Sequence, residues 1–208
     1  ADIDNFDIDV TNESYTSEYD GMKAVNSFLD EYDEAGDYRV ETTYPMLCMN
    51  PSWYGYNGIS EFSSMAYEHS SNLYYNTGIA GNFINSYTYR PQTPVFHSMF
   101  NLKYLVDNDP DVTLDPKYFT NIGDISGLTV YKNNYYLPLA YGVSDDIVNW
   151  EHETGNPFYA QNDFVHKAAG IDEDVFTNVT FTDISYSNIA PFSDVLNSGS
   201  YQFSKSNP

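Results

Sequence analysis

The 208-residue chain carries 30 acidic and only 8 basic residues, which gives a formal net charge of −22. A field of this sign repels phosphate backbones and anionic lipid headgroups, and the two arginines, Arg39 and Arg90, form no phosphate-binding cluster. Nucleic-acid binding is therefore excluded. The content of 41% hydrophobic and 17% aromatic residues is enough to fill a core, so global disorder is excluded as well.

Cysteine content excludes a fold stabilised by internal disulfides, and hydropathy excludes a predicted membrane-spanning helix. The single cysteine, Cys48, cannot form an internal disulfide. In an extracellular protein, the lack of disulfides is typical of Gram-positive bacteria. A transmembrane helix needs an apolar run of about 18 residues or more. The sequence contains no such run, so no membrane-spanning helix is predicted.

The N-terminal part begins with an acidic segment and continues into a helix. Within the acidic segment, residues 1–17, alternating apolar residues at 6, 8 and 10 predict a short half-exposed strand or a frayed tail. Residues 18–35 are predicted to be helical. Ser17 and Asp20 resemble a capping box at the start of this helix, and Gly36 ends it. Its apolar residues recur at helical spacing: Met22, Val25, Phe28, Leu29 and Tyr32.

Helices and strands are interspersed along the rest of the chain. Residue composition and turn signals predict strands at 38–43, 102–106, 128–131, 137–143 and 175–184. The same signals predict helices at 66–77, 95–100 and 158–169, and a helical turn at 145–150 capped by Ser144. This order predicts an α+β fold with a mixed sheet and several packed helices. It forms a single domain over 18–184, followed by a Ser/Asn-rich C-terminal segment, 185–208.

The stretch from Asn50 to Ser64 stands out because it combines helix-breaking proline and glycine residues with large aromatic side chains. Pro51, Gly55 and Gly58 predict that no regular helix forms there. The rings supply far more apolar area than a simple linker needs: Trp53, Tyr54, Tyr56 and Phe62. Such rings either pack inward or line a surface that binds a ligand. Inward packing is the commoner outcome, and both interpretations stay open.

Residue chemistry alone identifies no metal site. The run Asp107–Asp111 begins like a calcium-binding loop, but Val112 and Tyr118 occupy the positions that need glycine and a bidentate acid. The four histidines share no ligand spacing. No cofactor is predicted, apart from a divalent cation held loosely by the acidic surface.

Residue chemistry identifies no catalytic site either. No nucleophile elbow and no phosphate-binding glycine loop is present. Glu61 with Asp145 or Asp146 is a conceivable glycosidase pair, because two carboxyl groups carry that chemistry. Adjacent acids on a turn are commonplace, however, and the sequence does not give the distance between these side chains.

Several stretches together resemble one protein family. They occur in consistent order over residues 18–184: Tyr38-Arg39-Val40, Asn57–Ser64, Thr93-Pro94, Leu102–Val106, Leu137–Ser144, Asn156–Phe158 and Gln161-Asn162. Each is weak alone, but the set resembles the extracytoplasmic part of the YfhO family. These are polytopic bacterial membrane proteins similar to GT-C glycosyltransferases.

The resemblance implies a parent protein that transfers a sugar from a polyprenyl-phosphate carrier onto a cell-envelope polymer such as teichoic acid. In GT-C enzymes the catalytic acid lies in a loop between transmembrane helices. The present chain is therefore expected to be non-catalytic by itself, on the extracellular face of a bacterial membrane. Its expected partners are the parent's own transmembrane domain and a cell-envelope glycopolymer, and its expected role is either to cover the membrane active site or to hold the acceptor. The charge of −22 conflicts with a polyanionic acceptor unless divalent cations bridge the two.

Joined with the residue chemistry, the resemblance suggests a sugar-binding surface on the aromatic stretch. Rings stack on sugars, and amide and carboxylate groups bind sugar hydroxyls. The candidate residues are Trp53, Tyr54, Tyr56, Asn57 and Glu61. Two other functions remain as alternatives, a carbohydrate-binding module of a secreted protein and a glycoside hydrolase that uses Glu61.

Overall fold

The computed structural model describes residues 16–45, 48–82, 84–109 and 112–177. All of these except Thr177 belong to one compact unit, Ala1–Phe176. The helices are α1 (Tyr19–Tyr32), α2 (Asn50–Tyr54), α3 (Glu68–Asn76), α4 (Pro94–Met99) and α5 (Pro157–Ala169), with a 3-10 helix at Asp145–Asn149. The strands are β1 (Arg39–Thr42), β2 (Glu61–Phe62), β3 (Ala80–Gly81), β4 (Ser86–Thr88), β5 (Leu102–Asp107), β6 (Phe119–Ile125) and β7 (Leu128–Asn133).

The main sheet has four strands in the order β1-β5-β7-β6. β1 runs parallel to β5, with Val40 beside Tyr104, whereas β5, β7 and β6 are antiparallel neighbours. A small antiparallel sheet has the order β2-β4-β3. The fold is thus α+β with a mixed sheet and packed helices in a single domain, which confirms the predicted fold class.

Helix α1 covers one face of the main sheet. Its buried side chains, Met22, Val25 and Leu29, are fully enclosed and pack in one cluster with Tyr104 and Val106 of β5. Burial of each such side chain stabilises the fold by roughly 1.5–3 kcal/mol. The helical spacing that predicted α1 is therefore the spacing of its core-facing side.

A second apolar cluster covers the opposite face of the sheet. Leu105 of β5 lies in it, together with Tyr89 and with Phe96 of α4. Because successive side chains of a strand point to opposite faces, β5 places Leu105 in this cluster and its neighbours Tyr104 and Val106 in the first. Burial on both faces explains why β5 is a nearly continuous apolar run.

One polar pair lies inside the second cluster. The Tyr89 hydroxyl and His97 Nε2 are 2.9 Å apart, and both side chains are almost completely buried. Burial lowers the pKa of His97 to about 4, because desolvation penalises the charged imidazolium. His97 is therefore a neutral core residue near neutral pH.

Most of the predicted helices are confirmed, and two of the predicted end residues cap their helices. The helices predicted at 18–35, 66–77, 95–100 and 158–169 correspond to α1, α3, α4 and α5. Gly170 closes α5 in a left-handed conformation, and the Ser144 hydroxyl caps the 3-10 helix through the Asp146 amide. The predicted capping box of α1 is wrong, because Glu18 is the N-cap residue and its side chain does not cap the helix.

The strand prediction fails at 137–143, which is irregular. Pro138 lacks an amide donor, and side chains hold the segment instead of a strand ladder. The Asn101 amide donates to the Leu137 carbonyl, and the Tyr141 hydroxyl donates to the Met99 carbonyl. At 175–184, residues 175–177 are not a strand and the others lie outside the described residues, as do residues 1–15 with their predicted strand.

Four strands of the structure, β2, β3, β4 and β6, were not predicted from the sequence. β6 pairs with β7 through a two-residue turn in which Ser126 and Gly127 both have positive φ, as tight hairpins require. β6 is an edge strand and several of its residues are exposed and polar, so it lacks the alternation that marks a half-buried strand. The three strands of the small sheet have two or three residues each, too few for any periodicity.

Truncation of a core residue on α1 tests the packing of this helix. We expect Leu29→Ala to lower the free energy of unfolding by about 2–5 kcal/mol, because it leaves a cavity between α1 and the sheet. Glu31→Ala, on the exposed side of the same helix, is the matched control and should change stability by less than about 0.5 kcal/mol. Urea unfolding followed by circular dichroism measures both. Equal effects of the two variants would contradict the assigned helix face.

Candidate functional site

A cleft of about 600 Å³ opens beside the first residue of β1. It lies where the segment before β1 meets helix α2 and the segment that leads from α2 into β2. Its lining is predominantly polar. The lining residues are Gly36, Asp37, Tyr38, Arg39, Pro51, Ser52, Tyr56, Asn57, Gly58, Ile59, Ser60, Glu61 and Leu139.

The wall formed by α2 corrects one prediction. The proline and glycines of this stretch were expected to exclude a regular helix, but Asn50–Tyr54 is helical. Pro51 lies in the first turn, where its missing amide is not needed. Gly55, with φ of 77°, ends the helix and donates its amide to the Pro51 carbonyl at 2.9 Å. Pro51 and Gly55 therefore define the two ends of the helix instead of preventing it.

The helix directs two of the five candidate residues away from the cleft. Tyr54 is only 3% exposed and packs in the α1 cluster, where its hydroxyl donates to Glu18 Oε2 at 3.4 Å. Trp53 packs against the same cluster, with its ring centroid 5.6 Å from that of Tyr19. Inward packing thus accounts for these two rings. The other three candidates, Tyr56, Asn57 and Glu61, all line the cleft.

A buried carboxylate fixes the segment that carries these three residues. Glu41 of β1 has no exposed surface, and its Oε1 accepts the amides of Ile59 at 2.5 Å and Ser60 at 2.7 Å. Its Oε2 accepts the Ser60 hydroxyl at 3.2 Å. The Val40 amide donates to the Asn57 carbonyl at 2.8 Å. The segment 57–60 is therefore bonded to β1 at both ends.

Burial dominates the electrostatics of Glu41. It raises the pKa of this carboxyl to about 7, although the bonds from Ser60 and Ile59 oppose the shift. Burial also raises the pKa of the neighbouring Tyr56 far above its usual value, so Tyr56 keeps its proton. A raised carboxyl pKa is typical of a general acid. Glu41 is enclosed behind the segment, however, so its role is to position the cleft wall.

Gly58 allows the segment to lie this close to its neighbours. A Cβ atom at this position would lie 2.5 Å from Pro51 Cγ and 2.9 Å from both Glu41 Oε1 and Tyr56 Cε2. These distances are shorter than any normal contact. Glycine is therefore required at residue 58 by close approach, although its φ is not positive.

Glu61 places an exposed carboxylate at the edge of the cleft. Its Oε2 accepts the Tyr87 hydroxyl at 2.6 Å, which orients the side chain. Burial and this bond to Glu61 raise the pKa of Tyr87, so the tyrosine remains a donor. On the neighbouring wall, the Arg39 guanidinium donates to the Phe100 carbonyl at 2.7 Å. Glu61 and Arg39 thus bring an acceptor group and a donor group to the lining of one cavity.

Five residues of the lining with polar side chains were not among the candidates predicted from the sequence. Asp37 and Tyr38 precede β1, Arg39 begins it, Ser52 lies on α2 and Ser60 lies on the segment after α2. The first four meet the segment 57–61 only because β1 and that segment are paired. Nothing local in the sequence indicates this pairing, although residues 38–40 and 57–64 both belong to the stretches that resemble the family.

The acids suggested for a glycosidase do not converge. Asp145 and Asp146 lie on the 3-10 helix, and neither belongs to the described residues that line the cleft with Glu61. Asp146 instead accepts a bond from the Asn149 amide at 2.6 Å and pairs with Lys167 Nζ at 3.3 Å. The structure therefore gives Asp146 a local structural role.

The acidic run at 107–109 also has structural partners. Asp107 Oδ1 accepts the Thr43 hydroxyl at 2.7 Å, and the Asn108 amide donates to both carboxylate oxygens of Glu18. Among the described residues, no group of three or more His, Cys, Asp or Glu side chains is arranged to hold a metal ion. A loosely bound divalent cation remains an expectation.

Substitution of Gly58 tests the close approach that shapes the cleft. We expect Gly58→Ala to destabilise the protein by about 1–3 kcal/mol, because the added methyl group displaces Pro51 or the Glu41 carboxylate. Gly142→Ala is the matched control, since its Cβ would meet no atom within 4 Å and its φ is not positive. Chemical unfolding measures both variants. A Gly58→Ala variant as stable as the control would contradict the described packing.

The raised pKa of Glu41 gives a pH-dependent prediction. In the folded protein the Glu41 carboxyl keeps its proton up to about pH 7, whereas the usual pKa of this group is 4.5. The contribution of Glu41 to the free energy of unfolding therefore falls as the pH rises from 4.5 to about 7. Relative to the isosteric Glu41→Gln variant, the wild type should lose up to roughly 3 kcal/mol over this range. Urea unfolding of both proteins at several pH values measures the difference. Parallel curves would contradict the burial of an ionisable Glu41.

Comparison with known proteins identifies the family. The family model described as bacterial membrane protein YfhO matches residues 3–207, almost the whole chain. No curated protein and no solved structure matches the chain significantly. Among the described residues, no helix has the length and apolar character needed to cross a membrane. The match over nearly the full length shows that the chain belongs to the YfhO family of bacterial membrane proteins.

Proposed function

We propose that this chain is a non-catalytic, extracytoplasmic domain of a YfhO-family membrane glycosyltransferase and that it binds the acceptor glycan of the parent enzyme. Family membership supports the membrane-protein context. The glycosyltransferase activity follows from the similarity of the family to GT-C enzymes. The domain then acts next to the membrane part of its parent, by holding the acceptor or covering the active site there.

The observation that carries the proposal is the polar cleft at the start of β1. It has a volume of about 600 Å³, within the range of about 300–1,000 Å³ usual for small-molecule sites. Its lining combines an amide (Asn57), a carboxylate (Glu61), a guanidinium (Arg39) and two tyrosines (Tyr38 and Tyr56). Such groups recognise sugar hydroxyls and pack against sugar rings.

Preorganisation supports a binding role for this cleft. The segment 57–60 is bonded to β1 through Glu41 and Val40, and Glu61 is oriented by Tyr87. Polar groups that are already fixed lose little conformational entropy when a ligand binds. Tyr54 and Trp53 contribute to this rigidity by packing α2 onto the core, and the ligand contacts are assigned to Tyr56, Asn57 and Glu61.

The proposal is tested by transfer activity in the full-length parent protein. We expect Asn57→Ala and Glu61→Gln to reduce glycosylation of the cell-envelope polymer by about tenfold or more, which corresponds to about 1.4 kcal/mol of lost binding each. The variants should leave the level of the protein in the membrane unchanged, because both side chains are exposed. Incorporation of labelled sugar into the polymer measures the effect.

Glu173→Gln provides the matched control for Glu61→Gln. Glu173 is an exposed glutamate that is not part of the described cleft lining, so its substitution should leave transfer unchanged. Full activity of both cleft variants, with normal protein levels, would overturn the acceptor-binding role. Activity of the isolated domain in sugar transfer or glycoside hydrolysis would overturn its non-catalytic character.

A further inference from the structure

We infer that the cleft at the start of β1 binds an uncharged, hydroxyl-rich segment of a glycan and excludes phosphodiester groups. This inference rests on the proposed function, because it names the chemistry of the ligand that the same cleft takes. It follows from the direction in which two backbone amides point and from the charges of the lining. A cell-envelope glycopolymer would therefore be recognised through its sugar units, not through a phosphate backbone.

Two backbone donors of the cleft segment are already occupied. Consecutive amides on an irregular segment commonly form a concave site for phosphate or another anion. In this cleft the consecutive amides of Ile59 and Ser60 both donate to the same oxygen of Glu41. An internal carboxylate thus occupies the place of an external anion. These two amides of the cleft segment are consequently not available to a phosphate group.

The charged side chains of the lining are mostly acidic. Within the described lining, Arg39 is the only basic residue, and the same lining contains two exposed acids, Asp37 and Glu61. The Arg39 guanidinium already donates to the Phe100 carbonyl at 2.7 Å, which restricts its use as a two-pronged phosphate ligand. The chain's charge of −22 adds to the repulsion of any polyanion.

The remaining groups of the cleft match a neutral sugar. The carboxylates of Asp37 and Glu61 accept hydroxyl donors, and the Asn57 amide both donates and accepts. Leu139, which is 57% exposed, adds an apolar surface on the cleft wall. Sugars present hydroxyl edges and apolar C–H faces, so this combination suits a short stretch of uncharged pyranose units.

The inference is tested by titrating the isotope-labelled chain with defined probes. The neutral probes are trisaccharides built from glucose, galactose or an N-acetylhexosamine, and the charged probe is poly(glycerol phosphate) of similar length. We expect a neutral probe to shift the amide resonances of residues 56–61, with little dependence on salt. The phosphate polymer should bind at least about tenfold more weakly at low ionic strength, where repulsion is least screened.

Removal of the acidic groups adds a second readout. In the double variant Asp37→Asn and Glu61→Gln, the neutral probe should bind more weakly, because two strong acceptors are lost. The phosphate polymer should bind several-fold more tightly than it binds the wild type, because the repulsion is reduced. Glu173→Gln, outside the described lining, should change neither affinity.

The outcomes separate this inference from the proposed function. Binding of poly(glycerol phosphate) to residues 56–61 as tightly as the best neutral probe would overturn the inference and leave a glycan-binding cleft in place. Failure of every probe to shift these resonances would overturn the glycan-binding role itself. Binding of a neutral probe alone supports both.

Discussion

The buried Glu41 carboxylate is the interaction on which the candidate site depends. Burial makes the charged form of this group costly and raises its pKa to about 7, although its oxygens accept the amides of Ile59 and Ser60 and the Ser60 hydroxyl. No regular secondary structure satisfies these amides, since the segment 57–60 is irregular. The Glu41 side chain therefore accepts the backbone hydrogen bonds that a neighbouring strand would otherwise accept. It holds the wall of the cleft in one conformation at an energetic cost that the rest of the fold offsets.

The position of Glu41 in the sheet explains how the core and the cleft are coupled. Val40 packs in the α1 cluster, and the next residue, Glu41, points to the opposite face of β1. Adjacent residues of one short strand thus connect the hydrophobic core to the segment 57–60 of the candidate site. Tyr54 reinforces this connection, because it belongs to the same core cluster and lies at the end of the helix that leads into this segment. Cleft geometry is consequently set by ordinary core packing.

The sequence predicts those features that depend on local pattern. Helix α1 could be predicted because its core residues repeat within two or three turns, and Asn57 and Glu61 could be named as candidates because they lie within the aromatic stretch. Features that depend on pairing across the chain could not be predicted. Glu41 looks like an ordinary polar strand residue, and only the fold shows that it faces the backbone of residues 59–60. For the same reason, the sequence did not separate Tyr54, which is core, from Tyr56, which lines the cleft.

The neutral imidazole of His97 has a consequence when it is considered together with Glu41. Its pKa is lowered from 6.5 to about 4, so it destabilises the fold progressively on acidification, whereas Glu41, raised from 4.5 to about 7, does so on alkalinisation. Between pH 4.5 and 6.5, the two groups change the free energy of unfolding with pH in opposite directions and by similar amounts. Within that window the two contributions oppose each other, so this pair of solvent-inaccessible groups adds less pH dependence to the stability than either group alone would.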